Sequence, residues 1–134
     1  MVVGYDLDGV LTIFGLYNIG TKLPWWCGLW LLLVPPNKGM VKELKERYAD
    51  GQRITIITAR HKQLEGLTRW WLKVHKIPFS RLACLGPGKN VPEKKLAAIK
   101  QFSVEVFTDD DINTVIFLRN AGIKTFHCKG GASC

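Results

Sequence analysis

The chain has 134 residues, 47% of them apolar, and carries 19 Lys and Arg against 11 Asp and Glu for a formal net charge of +8. That is one domain's length with enough apolar material for a packed core, which excludes a disordered chain. The longest apolar run, Trp25 to Val34, has ten residues, about half of what a membrane span requires.

The elements follow from the apolar pattern. Val2 and Val3 open a buried strand that ends at Tyr5 or Asp6. Residues 12–36 are an irregular stretch rich in Gly, Pro and Trp, read as a small insertion. A helix is expected from near Asn37 to Ala49, with Met40, Val41, Leu44 and Tyr48 at helical spacing and Asp50-Gly51 ending it. Ile54 to Thr58 is a β-branched run and reads as the second strand. Residues 61–75 read as a helix with Leu64, Leu67, Trp71 and Val74 on one stripe. Arg81 to Leu85 is a short third strand. Pro92 suits a helix's first turn, and Leu96, Ile99 and Phe102 follow on one face. Val104 to Thr108 is the fourth strand. Asp111 to Ala121 is a helix with Gly122 at its C′ position, and Ile123 to His127 is the fifth strand. The Gly-rich tail, 129–134, is expected to fray. Strands alternating with helices imply a single α/β domain over 1–134 with a mainly parallel sheet.

Five of the six aspartates fall in two clusters, Asp6 with Asp8 and Asp109-Asp110-Asp111. Each cluster directly follows an apolar strand, where unpaired charge is costly. In open parallel sheets, ligands bind beyond the carboxyl ends of the strands. Two such ends side by side would make an oxygen-lined site suited to Mg²⁺, with Asp6, Asp8, Asp109 and Asp110 as the candidate ligands. The rest of the surface is strongly basic, a field that attracts phosphorylated metabolites or nucleic acid. A solvated Lys-rich surface gives the same total charge. Cys27, Cys84, Cys128 and Cys134 show no CxxC spacing and read as reduced thiols, which places the chain in the cytoplasm. No signal-like segment is read at the N-terminus. The three histidines are scattered and are not read as metal ligands.

A phosphate ester needs a nucleophile, a cation against its oxygens, and an acid for the leaving alcohol. Asp6 suits the nucleophile, and Asp8, just past the strand end, suits the acid that later takes a proton from water. Asp6-Leu7-Asp8-Gly9-Val10-Leu11-Thr12 resembles the first motif of the haloacid dehalogenase superfamily. Ile56-Ile57-Thr58 resembles its second motif, and Asp109-Asp110 after an apolar strand its fourth. The resemblance runs from residue 2 to about residue 127. It implies a three-layer Rossmann-like core with strand order 5-4-1-2-3, which would set the first and fourth strands side by side. It also implies a Mg²⁺-dependent phosphatase with Asp6 as nucleophile, Asp8 as acid/base, Thr58 and Gly9 at the phosphoryl group, and Asp109 and Asp110 at the metal. The third motif is a Lys at the start of the helix before the fourth strand. Lys94 and Lys95 both qualify, and Lys95 is favoured because Ile99 and Phe102 then follow on the face that packs down. Arg60 is a candidate contact for a substrate anion, with an exposed surface Arg as the bland alternative. Asp111 reads more readily as a helix cap than as a ligand.

The insertion after the first strand, residues 12–36, is too short for a full helical cap, which leaves the site open or covered by a neighbouring subunit. Trp25, Trp26 and Trp30 within it are read first as core or homo-oligomer packing through 24–34, and second as a lip that stacks on a base. Ile57-Thr58-Ala59-Arg60, Trp70-Trp71-Leu72, Ile77-Pro78-Phe79 and Phe107-Thr108-Asp109-Asp110-Asp111 resemble the 5′-nucleotidase-like branch, which implies nucleoside monophosphates as substrates. The alternatives are a phosphatase acting on polynucleotide ends and a non-catalytic binding protein on the same fold.

Overall fold

The structure is a computed structural model and describes residues 1–12 and 35–128. Its centre is strand β1 (Val2–Tyr5), which pairs in parallel with β2 (Arg53–Thr58) on one side and β4 (Val106–Asp109) on the other. β3 (Arg81–Cys84) extends the sheet beyond β2, and β5 (Lys124–His127) extends it beyond β4. The order β3-β2-β1-β4-β5 is the expected one, with β1 and β4 adjacent.

Side-chain alternation divides the core into two layers. Val3 and Tyr5 of β1, with Ile54 and Ile56 of β2, pack against Met40, Val41 and Leu44 of α1 (Lys38–Ala49) and Trp71 and Leu72 of α2 (Glu65–Val74). Ile57 of β2 and Phe107 of β4 face the other way. They meet Ala98 and Ile99 of α3 (Val91–Gln101) and Leu118 of α4 (Ile112–Asn120). Caps set where these helices begin. The Asn37 side chain accepts a hydrogen bond from the Met40 N–H, and the Asp111 side chain accepts one from the Asn113 N–H.

Three expectations need correction. The helix expected over 61–75 begins with a 3₁₀ turn at Lys62–Leu64, and α2 proper starts only at Glu65. Thr68, Trp71 and Leu72 are its buried residues, whereas Val74 is 50% exposed. Tyr48, expected on the apolar face of α1, is also exposed. Finally, Cys84 is a free buried thiol, but Cys128 is disulfide-bonded. Sequence spacing does not report proximity in space, so the reading of four reduced thiols is corrected at Cys128. The Trp-rich 24–34 segment and the tail lie outside the described residues. Among the described residues no helix is long and apolar enough to cross a membrane.

β1 can sit this close to its neighbours because Gly4 has no side chain. A Cβ there would lie 2.8 Å from both Phe107 Cδ1 and Val104 Cγ1. Gly4→Val should therefore destabilise the fold by about 1–3 kcal/mol through overpacking, read as a lower urea midpoint at unchanged m-value.

Candidate active site

The chain runs outward from β1 to β2 and β3, then returns to place β4 on the other flank of β1. The carboxyl ends of β1 and β4 thus form a topological switch point, where a crevice opens in sheets of this kind. Asp6 follows β1 there, and its N–H donates to the Thr108 carbonyl of β4 at 2.9 Å. Asp109 ends β4, and Thr58 ends β2. The loop after Asp6 is tight. The Leu7 carbonyl accepts from the N–H groups of Val10, Leu11 and Thr12, and Leu7, Val10 and Leu11 anchor the turn in the core.

Asp6, Asp109 and Asp110 each bring a carboxylate oxygen into one group within 4.8 Å. Lys95 is buried against them, with Nζ 2.6 Å from Asp109 Oδ2 and 3.5 Å from Asp6 Oδ1. Lys94, its sequence neighbour, is exposed, so helix phase turns Lys95 and not Lys94 toward the carboxylates. Gly9 lies directly against Asp110 with φ of +84°, and a Cβ there would overlap the Asp110 carboxylate. Asp111 caps α4 and also accepts from the Thr114 hydroxyl at 2.7 Å. Its backbone N–H donates to Asp109 Oδ1 at 3.0 Å.

The electrostatics follow from burial. Loss of water pushes the Asp6 carboxyl well above the usual carboxylate range; Lys95 opposes the shift, and Asp109, Asp110 and Asp8 add to it. Burial likewise raises Asp110 to about 6, against the hydrogen bond it shares with Asp6. Burial alone would favour a neutral Lys95, but the charges of Asp6 and Asp109 outweigh it and hold the ammonium. Among the described residues, three clustered carboxylates therefore face one cation, and the excess negative charge on hard oxygen donors fits a divalent ion such as Mg²⁺.

Asp8 takes no part in that cluster. Arg60 Nη2 donates to Asp8 Oδ1 at 2.7 Å and Nε to Oδ2 at 3.0 Å, while Nη1 donates to the Thr68 hydroxyl at 3.1 Å. The Arg60 side chain is buried in these contacts. Arg60 is thus not an exposed surface arginine, and its guanidinium is engaged by Asp8 and Thr68. Thr58 is buried at the β2 end, and its hydroxyl accepts from the Arg60 N–H at 3.2 Å. A cleft of about 460 Å³ opens over the cluster, lined by Asp6, Asp8, Lys95, Asp109 and Asp110 with Asn113 at the start of α4. Two supporting residues escape sequence reasoning. Thr68 is one, since a Thr in a helix carries no signal of a buried Arg partner. His127 is the other, with Nε2 3.0 Å from the Asp110 carbonyl; its place opposite Asp109 in the β4–β5 register was the available clue.

No family model matches the chain. A nucleotidase of Clostridium acetobutylicum is 29% identical over 84 residues, 63% of this chain and 41% of that protein. A chain of the Pnkp1/Rnl/Hen1 RNA repair complex superposes with a TM-score of 0.76 at 17% identity, covering 94% of this chain and 41% of that one. D,D-heptose 1,7-bisphosphate phosphatase from B. bronchiseptica, solved with magnesium and phosphate, superposes with a TM-score of 0.69 at 10% identity, covering 97% and 81%. The chain thus spans less than half the length of the first two. These likenesses show that the chain shares the fold of the phosphatase structures it superposes on, the fold that the sequence resemblance implied.

Proposed function

We propose that the chain is a Mg²⁺-dependent phosphomonoester hydrolase that works through an aspartyl-phosphate on Asp6, with nucleoside monophosphates as substrates. The observation that carries this reading is the burial of Asp6 beside Lys95 in a carboxylate group that one ammonium does not neutralise. Asp6 Oδ attacks phosphorus in line, and the bond from phosphorus to the ester oxygen breaks. Asp8, which lines the same cleft, gives its proton to the leaving oxygen. It then takes a proton from the water that attacks the phosphoryl group, and the bond to Asp6 breaks to release phosphate. Lys95 holds Asp6 and Asp109 in place, and the Thr58 hydroxyl retains its own proton to offer a phosphoryl oxygen. Asp6, Asp109 and Asp110 would hold Mg²⁺, which supplies positive charge against the phosphoryl oxygens when bound. The likeness to a nucleotidase supports the choice of substrate. A second reading, phosphate removal from polynucleotide ends, is favoured by the structural likeness to an RNA repair protein and by the net charge of +8.

A phosphate-release assay with Mg²⁺ over nucleoside monophosphates, sugar phosphates and end-phosphorylated oligonucleotides tests both. We expect turnover of the monophosphates that EDTA and Asp6→Asn abolish. Preference for an oligonucleotide, with affinity falling steeply in salt, would select the second reading. Turnover that survives Asp6→Asn would overturn the nucleophile. Lys95→Gln should lower kcat by about 10²-fold or more, while Lys94→Gln leaves it within about twofold, a surface change being nearly neutral.

Metal binding should also report on Asp110. Its folded pKa of about 6 stands above the ordinary 3.8, so the metal-free fold binds extra protons in between. The resulting stabilisation is complete below the ordinary value and lost as pH rises through about 6. Mg²⁺ must displace that proton. The Mg²⁺-induced rise in Tm is therefore expected to be small near pH 5 and larger near pH 7, read by thermal denaturation with and without the ion.

A further inference from the structure

The general acid/base of the proposed reaction sits two residues beyond the nucleophile, on a turn held by its buried apolar neighbours and by backbone hydrogen bonds, neither of which touches the Asp8 carboxylate. Position along the chain cannot aim a carboxylate, since a side chain on a turn has several staggered rotamers open to it. In this structure the aim comes from another part of the sheet. Arg60, two residues past the end of β2, reaches Asp8 with two nitrogens at 2.7 and 3.0 Å. Its third nitrogen is tied to the Thr68 hydroxyl on α2 at 3.1 Å, and Thr68 is fully buried. Its backbone N–H is held by Thr58.

We infer that Arg60 is the positioning residue for Asp8, and that Thr68 locks Arg60 in turn. The inference rests on the phosphatase reading above. A guanidinium fork is planar and rigid, so two parallel hydrogen bonds fix the plane of the carboxylate as well as its place. Each carboxylate oxygen has two acceptor sites, and the fork takes one on each. One of those left open can carry the proton that Asp8 gives to the leaving oxygen and can then accept the proton of the attacking water, and Asp8 lines the cleft that would admit both. Thr68 makes the arrangement stiff. Without its hydroxyl, Arg60 has one end unheld, and a buried guanidinium N–H loses its acceptor. Arg60 also separates the carboxylates by role. Asp8 is paired with Arg60, whereas Asp6 and Asp109, with Asp110 in the same carboxylate group, face Lys95. On this account Arg60 acts through Asp8 and does not bind the phosphate.

The test is steady-state kinetics on 4-nitrophenyl phosphate with Mg²⁺ for the wild type, Asp8→Asn, Arg60→Ala, Arg60→Lys and the Asp8→Asn/Arg60→Ala double variant. Asp8→Asn should lower kcat by about 10²–10⁴-fold. Arg60→Ala should lower kcat by about 10²-fold, as expected for a misplaced catalytic group, with KM changed less than about twofold. In the Asp8→Asn background the same substitution should do almost nothing, the non-additivity of a shared pathway. Arg60→Lys, which keeps the charge but not the fork, should rescue little. Should Arg60→Ala fail to fold, Thr68→Val serves in its place; it should lower kcat at constant KM, and Thr68→Ser should restore it. A raised KM with unchanged kcat in Arg60→Ala would make Arg60 a substrate contact and overturn the inference. So would full additivity with Asp8→Asn, or a folded Thr68→Val with wild-type kcat. A wild type inactive on every ester would instead overturn the phosphatase reading, and this inference with it.

Discussion

The arrangement depends on one electrostatic constraint: like charges are held together out of water at the carboxyl edge of the sheet. Asp6 and Asp109 are buried, Asp110 stands against them, and Lys95 is the cation in contact with the pair. A buried carboxylate is tolerated only where something meets its charge. α3 must therefore dock in the phase that turns Lys95 inward. Val91, Ala98 and Ile99 achieve this, lying buried on the same helix as Lys95. Packing and charge point to the same face, and this agreement across levels is what allows a costly cluster to persist.

The second ion pair solves a different problem. Asp8 lies on the same turn as Asp6 but is drawn toward β2 and α2 by Arg60, away from the carboxylate group. The two helical layers thus each support one half of the site. α3, on one face of the sheet, carries the lysine, and α2, on the other, carries the threonine that holds the arginine. The sheet edge between them presents both carboxylates to one cleft. Glycine permits the close approach: Gly9 leaves room for the Asp110 carboxylate, and its positive φ turns the chain back into the core.

Much of this was legible in the chain. The apolar runs marked all five strands, because buried parallel strands need continuous β-branched and aromatic residues. Asp111 could be read as a cap, since it precedes a helical pattern and its short side chain suits the role. Lys95 could be preferred over Lys94, because Ile99 lies one turn further along the same face. α2 shows where such reading stops. Its apolar positions suggested a stripe through Leu64 and Val74, but the 3₁₀ turn shifts the helix start, and a buried threonine occupies the inner face. Cys128 shows the same limit, since nothing in the spacing of four cysteines reports which sulfurs meet.

The sequence by itself determined the strand and helix order, the two aspartate clusters at strand ends, and a lysine phased toward the core. These are local properties, set by the period of the apolar residues and by what can follow a buried strand. Only the tertiary structure decided which charges meet. Arg60 and Asp8 are 52 residues apart, and Lys95 and Asp109 are 14 apart. Pairing over such separations depends on strand order and helix docking. The contact of Arg60 with Asp8 is of this kind. A guanidinium takes whichever carboxylate the fold places within about 3 Å of it.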